Sequence, residues 1–107
     1  SPPFVRLANG SFRNDYALKL INMTAAERRL AIEVSGVDGA RLQAPALEDG
    51  GRLVAIARAD GVTNVRMKVV VPNTVGNGSH RLTFVIRDLD SGETATSASA
   101  FLAGEAP

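Results

Sequence analysis

The chain has 107 residues, 21% of them charged, a formal net charge of +1 and no cysteine. That length carries one hydrophobic core and buries about two-thirds of the surface its unfolded form exposes, so residues 1–107 are expected to form a single domain. Interspersed acids and bases exclude the basic stripe that nucleic acid requires, and the lack of cysteine excludes thiolate zinc, iron–sulfur ligation and cysteine nucleophiles.

In chain order, Phe4 to Ala8 reads as a short edge strand, introduced by two prolines that cannot donate to a ladder. Asn9-Gly10 turns the chain, the dipeptide best able to supply positive φ at successive positions. Tyr16, Leu18 and Leu20 then recur every second residue with Lys19 opposite, which predicts a half-buried strand from Tyr16 to Ile21. Asn22 closes it with a side chain suited to an Asx turn. The next stretch has two readings. Thr24-Ala25-Ala26-Glu27 matches a capping box, but Leu30, Ile32 and Val34 alternate with Arg29, Ala31 and Glu33. A helix would put Ile32 on the wrong face, so a strand is expected from Arg28 to Ser35, with room for one helical turn before it. Glu27-Arg28-Arg29 reads as a solvated surface patch.

Gly36 and Gly39 bracket a turn, followed by a weak strand from Ala40 to Gln43. Pro45 and Glu48-Asp49-Gly50-Gly51 mark a break, and Arg52 to Ala57 is the next strand. Asp60-Gly61 is a turn signal, after which Val65, Met67, Val69 and Val71 alternate until Pro72. A loop with Gly76 and Gly78 leads into His80 to Asp88, where Leu82, Phe84 and Ile86 share one face. Asp90-Ser91-Gly92 turns the chain into a last strand from Glu93 to Phe101, and the tail from Ala103 to Pro107 reads as frayed. Seven or eight short strands with no long helix predict an all-β fold, an antiparallel sandwich of immunoglobulin or fibronectin type. A small closed barrel is the alternative. No tryptophan is present, so Tyr16, Phe84, Phe101 and the branched aliphatics must fill the core.

Candidate chemistry is sparse. The single histidine, His80, lies beside Ser79, with Asp88 and Asp90 further along. Eight residues of extended chain separate His80 from Asp88 by about 27 Å, far beyond the contact a triad needs. Glu48 or Asp49 would have to approach from another loop. Asp88-Leu89-Asp90-Ser91-Gly92-Glu93 partly matches a calcium loop but lacks the bidentate glutamate at its required spacing, and a hairpin turn accounts for the same residues. Met23, Met67 and His80 are soft or borderline copper donors; Met67 lies on an apolar face and reads as core. No phosphate-binding glycine loop is present, because neither Gly50-Gly51 nor Gly76/Gly78 precedes a helix and a lysine. No catalytic, metal or cofactor site is therefore assigned to the segment, which is expected not to be an enzyme in its own right.

Three consecutive pieces have a specific likeness: Pro3-Phe4-Val5-Arg6-Leu7, Asn9-Gly10-Ser11-Phe12-Arg13-Asn14, and Tyr16-Ala17-Leu18-Lys19-Leu20-Ile21-Asn22. Together they resemble the start of the immunoglobulin-like domain at the C-terminal end of FixG-type proteins, accessory factors for cytochrome oxidase assembly. Leu30 to Gly36 and Leu82 to Asp88, with Gly92-Glu93, fit the same family more loosely. The resemblance implies an integral-membrane parent carrying ferredoxin-like iron–sulfur clusters and linked to copper handling and cbb-type oxidases. It places this module after the last membrane helix, on the extracytoplasmic (periplasmic) face of the bacterial inner membrane. No run here approaches the ~20 apolar residues of a membrane span, as expected of an excised tail.

Under that resemblance the segment is a non-catalytic docking or spacer module. Its expected partners are the rest of its own chain and components of oxidase assembly. Arg13 and Asn14 form the candidate interaction surface: Asn14 is expected to bond a backbone group at the start of its own strand, and Arg13 to face a partner or a membrane-proximal surface. Two other classes compete. One is an extracytoplasmic carbohydrate or adhesion sandwich, disfavoured by the shortage of aromatic platforms; the other is a copper-delivery site using Met23 or His80.

Overall fold

The computed structural model describes residues 4–45, 47–48 and 51–104, with the backbone alone at 47 and 48. The two prolines before Phe4, the break at 49–50 and the tail beyond Gly104 lie outside the described residues.

Nine strands are present among the described residues: β1 (Val5–Arg6), β2 (Phe12–Asn22), β3 (Arg28–Ser35), β4 (Arg41–Gln43), β5 (Leu47–Glu48), β6 (Arg52–Ala57), β7 (Gly61–Val71), β8 (Gly78–Asp88) and β9 (Thr94–Ala103). They form two antiparallel sheets, β1-β2-β7-β4 and β5-β6-β3-β8-β9. This is the expected sandwich, with two of its strands only two residues long. The strand reading of 28–35 holds: Thr24 to Ala26 makes bends, and Leu30, Ile32 and Val34 face inward.

Alternation sets the register. Phe12, Asn14, Tyr16, Leu18, Leu20 and Asn22 point to the interior along β2, and β7 pairs with it over its whole length, from Phe12↔Val71 to Asn22↔Gly61. A slip of one residue would move every one of these side chains to the opposite face. Ile32, Leu82, Phe84, Phe101, Val69 and Val71 are fully enclosed between the sheets. Tyr16 meets Phe84 edge-to-face, with ring centroids 5.1 Å apart at 72°, the arrangement that aromatic quadrupoles favour. Val70 and Ala31 depart from alternation: both lie on outer faces yet are only 1% and 2% exposed. Val70 stands between Arg13 and Arg41 in the ladder, two residues whose long aliphatic stems are suited to covering apolar surface.

Three turns fix the strand ends. Gly10 takes φ of 88° and Asn9 does not share the positive φ; instead its Oδ1 accepts the Ser11 N–H at 3.0 Å. At Asp60-Gly61 the positive φ, 46°, falls on Asp60, and Gly61 already belongs to β7. Gly36 has φ of 96°, and a Cβ there would meet the Arg81 carbonyl oxygen at 2.9 Å.

Replacing Phe84 with Ala is expected to lower unfolding free energy by about 3–5 kcal/mol, and Lys19→Ala on the wet face by less than about 0.5 kcal/mol. Urea denaturation measures both; equal losses would contradict the two-layer packing.

Candidate functional site

Asn14 differs from its expected role. It is only 4% exposed. Its amide donates from Nδ2 to the Leu102 carbonyl at 2.9 Å, while its Oδ1 accepts the Leu102 N–H at 2.8 Å. The partner is neither at the start of β2 nor in the same sheet: β2 and β9 belong to opposite layers, and the amide joins them. Two residues on, Tyr16 donates its hydroxyl proton to the Ala100 carbonyl at 2.8 Å. Burial of that phenol pushes its pKa up to about 12. Asn14 is thus a structural clasp with its polar atoms consumed, and it is not part of an exposed interaction surface. The alternation of Tyr16, Leu18 and Leu20, extended two residues back, already places Asn14 inward. Arg13 is half-buried beside Val70, with its Nε 3.6 Å from an Asp15 carboxylate oxygen.

A second polar cluster organises the far end. Asn22 accepts the Thr24 N–H at 3.0 Å, the expected Asx turn, and its Nδ2 donates to the Ala26 and Ala57 carbonyls at 2.9 and 3.2 Å. Asp88 uses Oδ1 to accept the N–H groups of Asp90 and Ser91 at 2.8 and 3.0 Å, and Oδ2 to accept Arg28 Nη1 at 2.6 Å. Both oxygens of the residue that would open a calcium loop are therefore committed, Oδ1 to the hairpin itself and Oδ2 to Arg28 of β3. The Ser91 N–H, the Arg28 guanidinium and the Asp90 N–H together hold Asp88 at about 2, well below the usual carboxylate range.

The remaining candidates do not come together. His80 and Asp88 lie toward opposite ends of β8, and His80 donates through Nε2 to the Gly76 carbonyl. The side chains of Glu48 and Asp49 lie outside the described residues. Met67 is buried in the core as expected, whereas Met23 is 86% exposed just past the end of β2, bordering the same groove as Asp88 and away from His80. These three donors do not fit a shared copper site. Among the described residues no group of three His, Cys, Asp or Glu side chains is placed to hold a metal. Iron–sulfur clusters need thiolates, which this chain lacks, so its residues do not fit such a group. Among the described residues no helix is long and apolar enough to cross a membrane.

A groove of about 460 Å³ is bordered by Leu20, Asn22 and Met23 on one side and Ile86, Thr94 and Ala95 on the other. Its walls are largely aliphatic, and of the charged residues around it Asp88 and Arg28 are paired with each other at 2.6 Å.

Residues 1–104 match the family described as "IG-like fold at C-terminal of FixG". The chain belongs to the FixG C-terminal immunoglobulin-like domain family. It is 35% identical over 89 residues to Protein RdxA of Cereibacter sphaeroides, and 34% identical over 74 residues to nitrogen fixation protein FixG of Rhizobium meliloti. Those alignments cover 83% and 67% of this chain but only 18% and 14% of RdxA and FixG. In fold it is similar to the crystal structure of a FixG-related protein from Vibrio parahaemolyticus, with a TM-score of 0.71 at 20% identity, covering 95% of this chain and 97% of that one. The FixG resemblance read from the Asn9–Asn22 region therefore holds.

Two outcomes follow from these contacts. Asn14→Ala strands the Leu102 N–H and carbonyl and is expected to cost about 2–3 kcal/mol, against less than about 1 kcal/mol for Arg13→Ala; chemical denaturation of both variants checks the ranking. Asp88 stays ionised in the folded chain down to about 2, while its unfolded counterpart protonates near the ordinary carboxylate value. Its contribution is complete above that value and disappears as pH falls through the folded one. Between about pH 4 and pH 2, wild-type melting temperature should fall more steeply than that of Asp88→Asn; parallel curves would remove the assignment.

Proposed function

We propose that this domain is a non-catalytic docking or spacer module of a FixG-like membrane oxidoreductase that serves assembly of cbb-type cytochrome oxidase and the copper handling it requires. The observation that carries this reading is family membership over residues 1–104, joined to a fold whose buried Asn14, Asn22 and Asp88 side chains are spent on structure. Asn14, Asn22 and Asp88 each have protein partners for their side-chain oxygens.

In this reading the iron–sulfur clusters belong to the rest of the parent chain, and the domain stands on the extracytoplasmic (periplasmic) side of the bacterial inner membrane. Its partners are the remainder of its own polypeptide and the oxidase assembly components. Neither nucleic acid nor a bound cofactor enters the proposal.

The test uses the full-length parent in its own cell. Removing this domain should reduce assembled cbb-type oxidase, measured by haem-stained native gels, while immunoblotting shows the truncated parent at its normal level. Replacement by an unrelated immunoglobulin-like domain separates the two roles: restored assembly assigns a spacer, continued loss assigns docking. Unchanged oxidase in the deletion strain would overturn both.

A further inference from the structure

The last strand has two edges with different fates along its length. β9 ends the five-stranded sheet and pairs on one side with β8. Because the Leu102 N–H and carbonyl are taken by Asn14, Leu102 points its backbone groups away from β8. Backbone direction alternates along a strand, so Ala100, Ala98 and Thr96 point the same way. Tyr16 occupies the Ala100 carbonyl. The Ala100 N–H and both backbone groups of Ala98 and Thr96 find no partner among the described residues.

This open stretch is also bare. Thr94-Ala95-Thr96-Ser97-Ala98-Ser99-Ala100 contains no charge, proline or glycine, and all but Ser99 are exposed. Folded proteins usually guard such an edge with lysine, proline or a bulge; none of these residue types occurs here. Beside it lies the groove between the layers, with Leu20, Leu30, Ile86 and Ala95 on its walls. Ile21 and Met23 stand at its rim, 66% and 86% exposed. Methionine adapts readily to different apolar partners. The charges around the groove cancel: Lys19 and Arg28 against Asp88 and Glu93, with Arg28 and Asp88 already paired at 2.6 Å.

We infer that the Thr94–Ala100 edge of β9 is a docking site for an extended, uncharged segment of a partner protein, which adds as a further strand and places aliphatic side chains into the groove at alternate positions. The free amides and carbonyls recur about every 7 Å, the repeat of a strand, so the main chain supplies affinity and the groove supplies selection. Neutrality of the rim selects against a charged segment. Asn14 and Tyr16 limit the site, because the edge beyond Ala100 is already filled from within the fold. The inference rests on the strand edge and does not depend on which assembly the parent serves.

The experiment pans a displayed library of random linear peptides against the complete chain and measures enriched peptides by fluorescence anisotropy. Enriched sequences should lack charge and carry aliphatic residues at alternate positions. Ala98→Pro removes an outward N–H while sparing the β8 ladder, and should weaken their binding by about tenfold or more. Ala95→Lys leaves the backbone unchanged, places a charge on the groove wall, and should weaken binding comparably. Failure to enrich any peptide, or binding that survives both substitutions in folded protein, overturns the inference. Concentration-dependent dimerisation abolished by Ala98→Pro, without peptide capture, would assign the edge to a second copy and overturn the partner-strand reading.

Discussion

The contact between the Asn14 amide and the Leu102 backbone is the constraint around which the rest is arranged. A sandwich of two sheets is held mainly by burial of apolar side chains, which is strong but has no direction. A primary amide that gives and receives one hydrogen bond with a single peptide unit has both direction and register. It sets which residue of β2 faces which residue of β9, and so how the layers are offset. Tyr16 repeats the device two residues later, with its ring packed on Phe84 and its hydroxyl on β9. Buried polar groups unsatisfied in any other offset penalise the alternatives, so the pair specifies one arrangement as well as stabilising it.

The same contact divides the β9 edge. Where Asn14 and Tyr16 reach it, the edge is closed; past Ala100, the layers part and the edge is open. Asn22 and Asp88 brace the open end, each holding its own turn and one distant element: Asn22 reaches the Ala57 carbonyl of the other layer, and Asp88 reaches Arg28 of β3. Membership of the FixG C-terminal family relates this architecture to much longer proteins, and the open end leaves a stretch of strand edge without a backbone partner among the described residues.

Most of the fold was legible because burial here follows a two-residue period. β3 and β6 have the limits that alternation predicts, since Leu30, Ile32 and Val34, and Leu53 and Ala57, lie in phase with their partners. β2 and β7 run longer than expected for a shared reason. Asn14, Thr63 and Asn64 carry turn-prone side chains, yet full-length pairing between the two strands draws them into the ladder. β5 was not foreseen; only Leu47 and Glu48 form it, paired to β6. The polar clasp was half legible. Strand phase places Asn14 inward, but no local pattern identifies a partner separated by 88 positions. The open edge of β9 was not legible, because Thr94 to Ala100 carries no proline of the kind that marked the first strand as an edge, and its place at the sheet margin follows from topology.

Residue-resolved amide hydrogen exchange on the folded chain tests the clasp most directly. The account predicts that the Leu102 amide, sealed by Asn14, exchanges only with global unfolding, while the outward amides of Thr96 and Ala98 on the same strand exchange close to unprotected rates. Equal protection of all three, or a fast-exchanging Leu102, would contradict it.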